Sequence, residues 1–279
     1  MPHVLVNIRN DDACHVIGQL SITAPDTLIL FVHGWGGNAT DTWAQIDQLL
    51  KKSPPDGVTF DALYYGYESI VRSAGENAGQ LLAFLDALLK DPADCYRRLV
   101  GKVMMNARSG FEYKRIVICC HSLGAPVVRR ALLDAWSANA EDEAAAWMGR
   151  VRMVLFAPAH FGARPTEVVR QLGGVLAWLV LVEAVANAVL PSLRDLNPES
   201  VFLEQLSDQS RAMLEVERFP KQLVRAYRVY WAPNDPIVMN RQFHGDRPPE
   251  TVSGATHTSL CKADHSEAAA YIQIKEAMS

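Results

Sequence analysis

The sequence predicts an α/β protein built on a mostly parallel, doubly wound sheet, and three observations predict it. Two continuous apolar runs, residues 27–32 and 116–120, are rich in β-branched side chains and read as strands covered on both faces. Segments with helical apolar spacing alternate with such runs, the pattern of a parallel sheet flanked by helices. The 279 residues, 49% apolar and 21% charged, are enough to enclose one large core.

Residues 3–24 alternate weakly between polar and apolar and fit antiparallel strands at one sheet edge. The run 27–32 ends in His33-Gly34-Trp35-Gly36-Gly37-Asn38, a glycine-rich turn that lets backbone approach a ligand closely. Several capping residues in 38–43 precede an amphipathic helix to about Lys51. Ser53-Pro54-Pro55-Asp56-Gly57 then breaks the chain before a strand at 58–65. Within 73–89, Leu81, Leu82, Phe84, Leu85, Leu88 and Leu89 recur at helical spacing. The run 116–120 passes through a small-residue turn into a helix at 127–133. The acidic, alanine-rich stretch 139–146 reads as a solvated connection. Residues 151–157, 224–231 and 251–253 supply further strands, and His265 opens a final helix.

A net charge of −4, with Lys and Arg scattered along the chain, excludes a nucleic-acid partner. The five cysteines are odd in number, and Cys119 and Cys120 fall inside a strand. Reduced thiols in a cytoplasmic protein are therefore expected, and their spacing matches no metal site. The first residues lack the basic and apolar regions of a cleaved signal. Residues 172–190 are apolar over nearly a membrane's thickness. Glu183 in the middle, with Asn187 one turn on, gives a polar stripe that argues against a span. The expectation is a cap helix, ended by Pro191, whose apolar face covers a pocket and can touch a membrane surface. A helical cap over 163–220 would then divide a core of 1–162 and 221–279.

Chemistry enters at Cys120-His121-Ser122-Leu123-Gly124. A sharp strand-to-helix turn lifts a serine hydroxyl off the sheet edge and aims the first helical N–H groups at whatever it attacks, whereas a plain N-cap serine does neither. The pattern resembles the G-x-S-x-G motif of the α/β-hydrolases, with Cys120 at the first glycine. The resemblance extends over about residues 27–275. It implies an α/β-hydrolase fold with the cap inserted before the strand that carries the acid, Ser122 as nucleophile, and the N–H groups of Trp35 and Leu123 as an oxyanion hole.

The stretch Asp195-Leu196-x-Pro198-x-Ser200-x-Phe202-Leu203-x-x-Leu206 is similar to a pattern of lipase-like hydrolases related to the GPI inositol-deacylases. Asp235, just past a strand end and flanked by Pro233 and Pro236, resembles the acid in the family's Ser, Asp, His order, ahead of Asp246. His257, in Gly254-x-x-His257-x-x-Leu260-x-Lys262, resembles the base. His33, Gly34, His121, His160 and Phe161 are candidate substrate-contacting residues, His33 with a structural role as its chief alternative. No cofactor or metal is required. The resemblance thus implies a serine esterase or lipase acting on a lipid or other acyl ester through an acyl-enzyme. Thioester or amide hydrolysis, acyl transfer, and non-catalytic binding at a membrane are the rivals.

Overall fold

The computed structural model describes residues 3–10, 14–92, 95–96, 111–139, 143–164, 166–167 and 190–279. Eight strands form one sheet: β1 (His3–Asn10), β2 (Cys14–Ser21), β3 (Thr27–Val32), β4 (Phe60–Tyr67), β5 (Arg115–His121), β6 (Val151–Phe156), β7 (Arg228–Trp231) and β8 (Glu250–Thr251). They lie in the order β1-β2-β4-β3-β5-β6-β7-β8. β1 and β2 run antiparallel to each other, as does β2 to β4, and every pair from β4 to β8 is parallel. This is the doubly wound sheet that the apolar runs require, with the alternating segment at its edge. The helices are α1 (Ile46–Lys52), α2 (Ala74–Lys90), α3 (Gly124–Asn139), α4 (Pro191–Asp195), α5 (Val201–Glu215) and α6 (Ala269–Met278).

β3 is buried along all its length because helices cover both faces, and β4 is buried as well despite carrying Asp61. That carboxylate is satisfied internally: it accepts from Ser21 N–H at 2.8 Å and from Tyr113 O–H at 2.6 Å. α2 starts at a capping box in which Ser73 and Glu76 each take the other's backbone N–H. Its Leu81, Phe84, Leu85, Leu88 and Leu89 face the core, and α2 lies along α3.

Boundaries differ from expectation where side chains compete for backbone groups. Asp41–Trp43 forms its own 3-10 turn after the Asn38 side chain accepts from the Thr40 and Asp41 N–H groups, so α1 begins later, at Ile46. β7 is shorter than 224–231 because a 3-10 turn occupies Lys221–Leu223 and the Ala226 N–H is taken by Asp246 at 2.7 Å instead of a strand. The expected solvated connection at 139–146 runs into a 3-10 helix, Glu143–Arg150, whose Trp147 and Met148 are buried. α6 starts at Ala269, leaving His265 exposed before it.

The expected cap helix, with Glu183 and Asn187, lies outside the described residues. Beyond it, α5 buries Leu203 and Leu206 and packs on α3. No helix among the described residues is long and apolar enough to cross a membrane. No disulfide joins any of the cysteines among the described residues.

One ion pair is wholly internal. Arg129 on α3 is inaccessible to solvent, and Asp246 receives it at 2.6 Å while Phe243 lies 4.4 Å beneath the guanidinium. Removing the acid would strand a buried charge. Asp246→Ala should therefore lower the unfolding free energy by about 3–5 kcal/mol in a urea titration, and a loss below about 1 kcal/mol would show that water reaches Arg129.

Candidate active site

β5 ends at His121, and Ser122 turns the chain into α3 with φ at +50°, a left-handed conformation costly for a residue with a Cβ. Surrounding backbone holds it there. Its N–H donates to Phe156 O at 3.0 Å, and its carbonyl accepts from Ala125 N–H at 3.1 Å and Ala159 N–H at 3.2 Å. The turn is tight enough to demand glycine at 124, where a Cβ would lie 2.5 Å from the carbonyl oxygens of both Val32 and His33. Across from it, a Cβ on Gly34 would come within 2.8 Å of Ser122 Cβ. Cys120 is accommodated in the core with no exposed surface, so the first glycine of the motif is dispensable here.

Trp35 lines the same cavity as Ser122, and Leu123 follows Ser122 in the chain. Neither backbone N–H has a protein acceptor among the described residues, which leaves two donors available. The Trp35 ring is fixed from behind: its indole N–H donates to Ser192 Oγ at 3.0 Å, and that hydroxyl donates to Ile70 O at 2.8 Å. Nothing in the sequence foretold this contact, since 157 residues separate the pair.

Asp235 follows β7 on a loop where Asn234 takes φ of +53°, a conformation asparagine tolerates better than most residues. His257 Nδ1–H donates to Asp235 Oδ2 at 2.8 Å, and Asp235 Oδ1 accepts from Ile237 N–H at 2.8 Å and Val238 N–H at 3.3 Å. Burial pushes the Asp235 carboxyl up, but His257 and the two backbone donors outweigh it and hold the group below its ordinary value. His257 Nε2 is thereby left to face the cavity it shares with Ser122. That cavity, about 260 Å³, is bounded by Gly34, Trp35, His121, Ser122, Ile237 and His257, with Cys261 and Lys262 at its rim. No direct hydrogen bond joins Ser122 Oγ to His257 among the described residues; such contacts commonly tighten only when substrate binds.

The candidate contact residues divide. Gly34 and His121 line the cavity. His121 Nε2–H donates to the His257 carbonyl at 2.9 Å, tying the base's loop to the elbow. His33 lies behind the glycine-rich turn instead. Its Nε2 accepts from Tyr67 N–H at 3.2 Å, which leaves Nδ1–H to donate to Gly34 O at 2.7 Å, and its ring stacks on Tyr67 at 4.4 Å. His33 is a structural histidine that holds the loop.

His160 and Phe161 are also away from the lining. His160 is buried against Phe243 at 4.5 Å, and Phe161 packs on Phe243 and under Arg241. Both are candidate contact residues by resemblance, since Pro158-x-His160-x-Gly162 is similar to a turn at the active-site rim of lipase-like hydrolases. The positive φ of Ala157 and Gly162 turns that segment toward α3 and the Leu196 to Pro198 turn. Asp246, the alternative acid, is bound to Arg129 and cannot serve His257. Among the described residues no group of His, Cys, Asp and Glu could hold a metal.

The motif at 195–206 has a local explanation. Asp195 accepts from Ala74 N–H at 2.7 Å at the start of α2, while Ser200 donates to Asp195 O at 2.6 Å and caps α5 through Leu203 N–H. These residues join two helices and do not touch the cavity.

The sequence model of the Alpha/beta hydrolase family matches residues 29–275. No curated protein matches the chain. Among solved structures, a soluble variant of monoglyceride lipase from Saccharomyces cerevisiae, in complex with a substrate analog, is similar at a TM-score of 0.54 and 11% identity. The match covers 100% of this chain and 94% of that one. Carboxylesterase CesB from Bacillus subtilis is similar at 0.51 and 14%, over 100% and 91% of the two chains. Lipase BlEst2 from Bacillus licheniformis is similar at 0.51 and 14%, over 90% and 94%. At these identities the likeness is one of fold.

Three buried histidines, His33, His121 and His160, make stability depend on pH, and burial holds His160 well below its ordinary value. Burial depresses His33 to about 4, and burial with the neighbouring His257 depresses His121 to about 3. As pH falls below about 6.5 the unfolded chain protonates all three, and the folded chain does not until much lower pH. The unfolded state therefore binds more protons, and stability should decline from pH 6.5 toward pH 4 by up to about 1.4 kcal/mol per pH unit for each histidine. Urea midpoints of the wild type and His33→Gln across that range test this; with three histidines contributing, the variant should lose about a third of the slope, and equal slopes would exclude His33.

Proposed function

Because the chain belongs to the alpha/beta hydrolase family, we propose that it is a serine carboxylesterase or lipase that cleaves an acyl ester through a Ser122, His257, Asp235 triad. One observation carries the reading. Ser122 on its strained turn, Trp35, and His257 held by Asp235 all line one cavity, and the backbone N–H groups of Trp35 and of Leu123, next to Ser122 in the chain, have no protein acceptor among the described residues. A binding protein has no use for that combination.

In this mechanism His257 Nε2 takes the Ser122 proton as Oγ attacks the ester carbonyl, and Asp235 keeps the imidazole in the tautomer with Nδ1–H while stabilising its charge. The Trp35 and Leu123 N–H groups receive the oxyanion; each such donor is worth about 100- to 1,000-fold in rate. Collapse expels the alcohol, protonated by His257, and leaves an acyl group on Ser122. A water deprotonated by His257 then attacks the acyl carbonyl, and the second collapse restores Ser122 and releases the acid.

A lipid or long-acyl ester is favoured by the apolar sequence at 172–190, which we assign to a cap over 163–220 that can rest on a membrane surface. The names of the yeast monoglyceride lipase and the Bacillus carboxylesterase are compatible with an ester substrate. The finer affinity to the GPI inositol-deacylases rests on the 195–206 motif alone. A reducing compartment is favoured by the odd number of cysteines and by the burial of Cys119 and Cys120 inside β5.

A fluorophosphonate probe should add one adduct by intact mass, absent from Ser122→Ala. His257→Ala and Asp235→Asn should fold but lose about 10,000-fold or more in kcat on p-nitrophenyl esters. Rising kcat/KM from butyrate to palmitate would support the lipid assignment. An adduct that persists in Ser122→Ala would overturn the nucleophile.

A further inference from the structure

A cavity larger than the one beside Ser122 lies at the opposite end of the sheet. It encloses about 710 Å³ where β5, β6 and β7 begin, whereas Ser122 and Asp235 follow the strands' C-terminal ends. The 7 residues of β5, at a rise of about 3.3 Å each, separate the two by roughly 20 Å.

Its wall is cationic. Lys114 and Arg115 open β5, Arg150 and Arg152 bracket the first residue of β6, and Lys221, Arg225 and Arg247 come from segments flanking β7. Cations scattered in sequence are thus gathered in space, on a chain whose net charge is −4. The lining contains one carboxylate, Asp246, already held by Arg129.

Two of the cations are neutralised: Lys114 by Asp26 at 2.8 Å and Arg150 by Glu112 at 2.8 Å. The rest keep their charge. Arg115 donates to Met278 O, Arg152 to Ala277 O at 2.9 Å, and Lys221 to Val216 O at 2.6 Å, all uncharged acceptors. Arg152 and Arg247 both lie over the Tyr227 ring, 5.1 and 5.3 Å from its centre. Arg225 is exposed and has no carboxylate at ion-pair distance among the described residues. Burial and the nearby charge of Arg152 hold Arg115 below the ordinary arginine value, a sign that the two guanidiniums repel.

We propose that this cavity is a second binding site, for a phosphate-bearing anion. Planar guanidinium forks match phosphate oxygens two at a time. Several uncompensated cations around one volume favour an anion of more than one negative charge over a single carboxylate. A soluble phosphoanion and a lipid headgroup share this chemistry.

Isothermal titration of the full chain with inorganic pyrophosphate at low ionic strength should show one site, weakening as salt is added. The double variant Arg225→Ala, Arg247→Ala should weaken it at least tenfold. Co-sedimentation with phosphatidylcholine vesicles, with and without phosphatidic acid, separates the sources. Pyrophosphate binding assigns a soluble ligand, and retention by the anionic vesicles alone, lost in the double variant, assigns a headgroup. No binding in either arm, or equal binding by the double variant, overturns the proposal. Fluorophosphonate labelling of Ser122 should be the same in both proteins. It reports the fold and the ester reading separately, so the failure of one is distinguishable from the failure of the other.

Discussion

The close approach of the elbow to the end of β3 constrains everything at the candidate site. Gly124 sits so near the Val32 and His33 carbonyls that no side chain fits. This approach brings the start of α3 and the glycine-rich turn together with Ser122 between them. The same proximity forbids a Cβ on Gly34, and the Trp35 and Leu123 N–H groups that flank this approach in the chain have no protein acceptor among the described residues. Strain at Ser122 is sustained because Phe156, Ala125 and Ala159 bond its backbone from two sides. His33 extends the control backward: bonded to Gly34 and Tyr67, it couples the turn to β4.

Two aspartates compete for one role, and a helix at some distance decides between them. α3 is buried on nearly every side, so Arg129, which it carries inward, needs a partner that no apolar neighbour can supply. Asp246 satisfies it and, through the Ala226 N–H, also ends the strand early. Asp235 is left to His257. Its neighbours Ile237 and Val238 hold one oxygen, so the other points at the imidazole. Which aspartate bonds His257 is thus set by core packing as well as by the loop.

The parallel sheet, its antiparallel edge and the elbow were legible because each rests on local pattern: continuous apolar runs, alternation, and small residues at a turn. The resemblance also named Ser122, Asp235 and His257, and the structure joins the last two by a hydrogen bond at the cavity that Ser122 lines; their catalytic roles are proposed. What escaped depends on contacts far apart in sequence. The Trp35 to Ser192 bond has no local signature, and His160 looks like a rim residue until Ala157 and Gly162 turn it inward against Phe243. The short β7 was hidden because alternation at 224–231 says nothing of Asp246 claiming an N–H. A resemblance at 195–206 was legible too, and its structural content is helix joining: Asp195 meets the start of α2 and Ser200 caps α5.

The two ends of the sheet are electrically unlike, and this follows from how parallel strands are used. Where the strands end, the chain turns into loops and the start of α3, which present neutral N–H donors and a histidine kept in place by a carboxylate. Where they begin, β5 and β6 each place an arginine beside the last turn of α6, whose carbonyls Met278 and Ala277 accept from Arg115 and Arg152. Cations therefore serve the fold there first, as caps for a helix terminus. A carbonyl oxygen carries no full charge, however, so capping leaves their positive field intact. With Arg225 and Arg247 added from the flanking loops, that field faces a cavity larger than the one beside Ser122, and the helix contacts alone do not balance it.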